Sequence, residues 1–242
     1  MSTLETGTIE PQSGTTVTLG ASGDAVVIGA DALKVNTIKD AGANTILTSD
    51  GSGTLSSVNS GLAGNMVFIS SATASGDSSL SFTSGIDSTY DEYVFIFVNI
   101  NPASNAQNFG FQCSTDGGSN YNTTVTSTTF RAYHRESGTH SALEYLTADD
   151  QAQGTAYQTI SPWLDEASDA SGSGILHLFA PSSTTYVKQF YSRSSAMDAG
   201  PNIQMNDFYA AGYFNTTSAI DAVAFKVASG NFDGTIYLYG IK

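Results

Sequence analysis

The sequence predicts an all-β protein, a short N-terminal β stalk followed by a jelly-roll-like β-sandwich. Three observations point there. Charged residues make up only 12% of the 242-residue chain, about half the usual share, and Gly, Ser, Thr, Asn and Ala fill the gap. No segment carries a long apolar stripe at helical spacing. The 13 Phe, 12 Tyr and single Trp all fall at or after Phe68, so the chain divides into two regions with different core chemistry.

The first region, residues 15–60, is rich in Gly, Ser and Thr. The first sixty positions of the chain hold fourteen Val, Ile or Leu side chains and no aromatic ring. Val17, Val26 and Val35 are nine apart, Ile28 lies beside the second of them, Ile46 follows after eleven and Leu55 after nine more. Turn signals separate them at Gly20-Ala21-Ser22-Gly23-Asp24, Asp40-Ala41-Gly42 and Ser49-Asp50-Gly51-Ser52-Gly53. A period near this length is one short strand plus one turn. Such a unit buries no face alone and must stack on its neighbours or on other chains. The competing reading is a disordered polar tail; regular β-branched residues favour order.

The second region, 61–242, reads as strands in succession: 91–100, 107–115, 123–134, 174–179, 186–193, 203–214, 222–227 and 235–241. The 107–115 strand closes at Asp116-Gly117-Gly118, and the 174–179 strand stops before Pro181. About eight strands with punctuating turns suit a jelly roll. The last strand puts Ile236 and Leu238 on one face and Tyr237 and Tyr239 on the other. Two apolar faces indicate a central or interface strand that closes the sheet. Asp233-Gly234 reads as the turn entering it, with metal binding as the alternative.

The formal net charge is −14 with eight basic residues, which excludes a nucleic-acid binder and argues against an anionic membrane surface. The start has no basic stretch followed by an apolar run, so neither a signal peptide nor a membrane insertion is expected. Cys113 lies in a strand-like setting and reads as a buried free thiol. His134, Glu136, His140 and Glu144 are the residue types of a divalent-metal site, yet Gly138 and Thr139 break any helix that would align them, which favours a polar loop. Asp149, Asp150, Asp165, Glu166 and Asp169 lack the tight alternating spacing of a calcium loop, and the defined separation of a glycosidase pair is not legible in them. His177 sits in an apolar strand and reads as a core or interface histidine. Trp163, in Ser161-Pro162-Trp163-Leu164, falls in an apparent loop; it is a candidate receptor contact, against packing on the sandwich or a neighbouring subunit. No nucleophile elbow and no phosphate-binding glycine loop occurs. The expectation is a protein that is not an enzyme and carries no cofactor or metal.

A likeness emerges from longer stretches. Thr89-Tyr90-Asp91-Glu92-Tyr93-Val94-Phe95-Ile96-Phe97 with Asn101-Pro102-Ala103 resembles a segment common in tailed-phage virion proteins. So do Ser114-Thr115-Asp116-Gly117-Gly118-Ser119-Asn120-Tyr121 and Ser229-Gly230-Asn231-Phe232-Asp233-Gly234-Thr235-Ile236-Tyr237-Leu238-Tyr239-Gly240. Upstream, Leu33-Lys34-Val35-Asn36-Thr37-Ile38-Lys39-Asp40 and Leu47-Thr48-Ser49-Asp50-Gly51-Ser52-Gly53 resemble the stalks of fibre-type proteins of marine, cyanophage-like phages. The resemblance implies a virion protein made in the host bacterial cytoplasm, a threefold assembly, and a stalk leading to a β-sandwich head. On that footing residues 1–14 attach to other virion proteins. Residues 15–60 form an intertwined homotrimeric stalk with Val17, Val26, Ile28, Val35, Ile46 and Leu55 along its axis. The head, 61–242, binds a host-surface glycan or protein. The role expected is a short tail fibre or tip; a capsid decoration or head fibre is the alternative, and a glycan depolymerase ranks last.

Overall fold

A computed structural model describes residues 35–40, 42–52, 54–58, 64–198 and 203–242. The proposed attachment segment 1–14 and the stalk positions Val17, Val26 and Ile28 lie outside these residues. The chain divides into two compact units, Met1–Ala63 and Gly64–Lys242. Among the described residues every regular element is a strand, and no helix is long and apolar enough to cross a membrane.

In the first unit, β1 (Thr37–Lys39), β2 (Thr45–Ser49) and β3 (Leu55–Val58) form an antiparallel sheet in sequence order. Side-chain carboxylates close both turns. Asp40 Oδ1 accepts from Gly42 N and Asn44 N at 2.8 Å each. Asp50 Oδ1 accepts from Ser52 N (2.8 Å) and Thr54 N (3.1 Å). An Asx turn of this kind satisfies the backbone locally. The apolar side chains find no such partners: Val35 is 43% exposed and Leu55 51%, and Ile46 is half-buried.

The second unit comprises β4 (Met66–Asp77), β5 (Leu80–Phe82), β6 (Glu92–Pro102), β7 (Gln107–Ser114), β8 (Val125–Arg135), β9 (Ser141–Tyr145), β10 (Ala152–Gly154), β11 (Gln158–Leu164), β12 (Gly172–Phe179), β13 (Lys188–Asp198), β14 (Gln204–Phe214), β15 (Ala222–Val227) and β16 (Phe232–Ile241). They build two antiparallel sheets. The nine-stranded sheet runs β10-β8-β14-β13-β12-β6-β16-β4, with β9 also paired to β8; the four-stranded sheet runs β11-β7-β15-β5. The inner faces meet in a phenylalanine core. Phe109 and Phe225 stack at 5.9 Å, Phe95 meets Phe225 at 5.2 Å, and Phe111 meets Phe190 edge-on at 5.0 Å. Strand alternation delivers these rings. Tyr93, Phe95 and Phe97 of β6 all point inward and are fully buried.

Three expectations need correction. The eight strands become a nine-stranded and a four-stranded sheet, because β5, β9 and β10 span only three to five residues, β4 runs from Ser70 into small polar residues, and Pro162 interrupts the strand pattern of β11. Asp233-Gly234 is not a turn but lies inside β16, where the register against β6 shifts between Asp233 and Thr235. Gly234 has φ 142°, and a Cβ there would lie 3.0 Å from Asn99 O and 2.7 Å from Ile100 Cδ1. It is a glycine bulge, and Asp233 Oδ1 accepts from Gly76 N (2.7 Å) on the neighbouring strand. Trp163 belongs to β11 rather than a loop. The closing strand itself, with Ile236 and Leu238 buried, runs between β4 and β6 and hydrogen-bonds to both.

Candidate functional site

The polar clusters singled out in the sequence are dispersed or consumed by structure. His134 is the penultimate residue of β8 and is exposed. Glu144 instead pairs with Arg131, accepting from Nε (3.1 Å) and Nη2 (2.9 Å). Glu136 and His140 lie in the connecting turn, where Arg135 N donates to His140 O. Among the described residues no group of three His, Cys, Asp or Glu side chains is placed to hold a metal ion. Asp150 accepts from Thr129 Oγ1 (2.9 Å) and from the Tyr145 hydroxyl. Asp149 accepts from Asn108 Nδ2 (3.3 Å), and burial pushes its carboxyl above the ordinary range. Asp165 caps the Ala167 amide (2.8 Å) and Glu166 accepts from Asn105 Nδ2 (3.1 Å), while Asp169 is exposed.

Trp163 is half-buried and covers Arg131, whose guanidinium lies 4.2 Å from its ring centroid and 4.4 Å from that of Tyr133. Arg131 also donates to Asn206 Oδ1 (2.9 Å). Its charge is held by two rings, one carboxylate and one amide, which gives Trp163 a packing role. Cys113 is fully buried and burial pushes its thiol up, so it is protonated and inert.

What the sequence did not disclose is the outer face of the large sheet. His177 lies there rather than in the core. Its Nδ1 is 2.5 Å from Glu92 Oε1 and its ring stacks on Tyr191 at 4.5 Å. The register sets the neighbours. Tyr239 lies beside Val94, Val94 beside His177, His177 beside Tyr191, and Tyr191 beside Ala211. The adjacent row runs Tyr237, Ile96, Ile175, Arg193, Tyr209 and Phe130. Phe130 and Tyr209 stack in parallel at 4.7 Å. Tyr191 remains 45% exposed and Phe130 40%.

Two carboxylates on this face have side-chain partners, Glu92 in His177 and Asp207 in Arg193. Glu92 lies opposite Phe179 and diagonal to His177, and Asp207 lies opposite Ser195 and diagonal to Arg193. Arg193 forks onto Asp207 through Nε (2.9 Å) and Nη2 (2.8 Å). The Arg193 hydrogen bonds hold the Asp207 carboxyl below its ordinary range. Burial and the Asp207 charge push the Tyr209 phenol up. Above Ala211 opens a groove of about 580 Å³ lined by Thr126, Thr128, Phe179, Gln189, Tyr191 and Tyr213. A chain of net charge −14 thus carries an aromatic face whose central guanidinium and carboxylate, Arg193 and Asp207, are paired with each other. Contiguous exposed aromatic side chains are a feature of interaction sites.

Comparison of the chain with known protein families, with curated proteins and with solved structures returns no match. The all-β architecture and the face just described therefore carry the functional argument.

Proposed function

We propose that the chain is a non-enzymatic virion structural protein of a tailed phage, a short homotrimeric fibre whose sandwich head binds a host-surface receptor. The observation that carries this reading is the aromatic outer face of the large sheet, with Arg193 and Asp207 paired at its centre, on an otherwise acidic chain. The strand order supports a jelly-roll head. Without β8–β10 and β13–β14, the remaining strands form β4-β16-β6-β12 and β5-β15-β7-β11. The first then pairs with the last and the second with the second-last, the nested wrapping of two Greek keys. The inserted strands extend the first sheet past β12 and supply much of the aromatic face. The fibre reading also rests on the resemblance to fibre-type virion proteins, and Val35 and Leu55 are available for contact between chains.

The test is adsorption. Labelled protein is expected to bind susceptible cells and to compete with phage adsorption in a saturable manner. Absence of both would refute receptor binding. The small first unit favours a second reading, a decoration on the capsid lattice serving stability or weak adhesion. Imaging the protein on an intact particle separates the two, since decoration requires many copies on the capsid.

A further inference from the structure

The hollows on the outer face form a line. The 580 Å³ groove shares Thr128, Tyr191 and Ala211 with a second hollow of about 220 Å³ that reaches Tyr209 and Phe130. Past the Arg193–Asp207 fork come two more, of about 240 and 680 Å³, which share Ser173, Ser195 and Met205. The track follows β14 from Tyr213 to Met205, about 27 Å at roughly 3.4 Å per residue. Its occupant is long and narrow.

Three physical arguments select the chemistry of that occupant. An extended peptide recognised by strand addition needs a free sheet edge, but β13 and β14 are paired on both sides. A polyanion needs unpaired cations to displace its counterions, and Arg193 is already forked onto Asp207. From the groove to the fork the track offers flat aromatic surface beside neutral hydrogen-bonding groups, and the ionisable His134 and Glu136 line only the far hollow of about 680 Å³. Tyr191 presents the ring face not covered by His177, with Thr126, Thr128 and Gln189 close by and Ser173 and Ser195 further along. A pyranose ring has the complementary pattern, a C–H face that lies on an aromatic ring and a rim of hydroxyls.

We propose that this track binds a linear, uncharged polysaccharide, with the groove over Ala211 as its principal subsite. The inference rests on the receptor-binding reading and gives that receptor a chemical class. Ala211 makes the subsite: it is the small side chain between Tyr191 and Thr128 in its row, and a larger one would fill the gap. Arg193 and Asp207 cross the track as a planar pair, able to donate and accept at adjacent hydroxyls without bringing net charge.

The experiment is calorimetric titration of the full chain with the neutral and acidic polysaccharide fractions of susceptible cells, and with chitohexaose as a defined linear probe. The neutral fraction is expected to bind and the acidic fraction not. Ala211→Leu is expected to abolish binding, and Tyr191→Ala to weaken it by about threefold to tenfold, the scale of one aromatic contact. Both variants should keep the melting temperature and sedimentation coefficient of the parent. If the protein adsorbs to cells but the neutral fraction does not bind, the polysaccharide inference is wrong and the receptor reading stands. If adsorption itself is absent, the receptor reading falls too. Unchanged binding by Ala211→Leu would overturn the site. A smaller sedimenting species for Ala211→Leu would show that the face joins copies of this chain instead.

Discussion

The Asp116 carboxylate organises one side of a loop, whose Gly117 amide is held by Asp221. Asp116 accepts from Ser114 Oγ (2.6 Å), Asn120 N (2.9 Å) and Asn120 Nδ2 (2.7 Å). These bonds, Ser114 foremost, bring its pKa from an ordinary 3.8 down to about 2. A depressed carboxyl contributes stability that is fully present above its unfolded value and lost as pH falls through its folded value. The window here lies between 3.8 and about 2. An NMR titration of the Asp116 carboxyl carbon is therefore expected to show a midpoint near 2, with the Asn120 amide moving in step; a midpoint at 3.8 would mean that the loop is open. Asp149 has the opposite sign. Its folded pKa is raised by burial, so its protonation stabilises the fold as pH falls. The Asp116-Gly117-Gly118 turn was legible in the sequence because Gly117 and Gly118 adopt φ of 71° and 83°, where side chains are disfavoured. Packing of Trp163 on the sandwich was among the readings of the sequence, but its partner was not legible, since Arg131 lies on a strand far away in sequence.

At the level of elements, β16 shows what residue pattern conveys and what it omits. Alternating Ile236, Tyr237, Leu238 and Tyr239 announced a strand with two apolar faces, and the strand lies between two others. The Asp-Gly pair at its start misled, because a glycine at positive φ serves a turn and a bulge equally well. The distinction lies in the register with β6, which no local pattern encodes. The bulge carries a testable cost. Gly234→Ala would force a Cβ against Asn99 O and Ile100 Cδ1 at a φ that side chains avoid, and about 2–3 kcal/mol of unfolding free energy is expected to be lost. Urea denaturation measures it; an unchanged midpoint would mean that the strand realigns without strain. The aromatic face was hidden for the same reason as the bulge. Tyr191, Tyr209 and Phe130 were each visible as strand residues, but only the pairing of β13 with β14 and β14 with β8 brings them together.

For the whole molecule, the proposed trimer places its burden on the first unit. A three-stranded sheet of short strands cannot bury Val35 and Leu55 within one chain, and three chains pooling these side chains could. Val35→Asp would bring three carboxylates together at a few kcal/mol per trimer and is expected to release monomers. Sedimentation equilibrium decides, and a monodisperse monomer of the unaltered chain would refute the trimer. The burial pattern of the second unit bears on a different timescale. Along β13 the residues at even positions from Lys188 to Ala196 are buried, while Gln189, Tyr191, Arg193 and Ser195 are exposed, and β14 keeps the same parity from Gln204 to Ala210. One parity of the sequence maintains the fold and the other meets the outside. On the receptor-binding reading proposed above, a lineage could therefore rewrite the odd positions and alter what it adheres to while inheriting the same core.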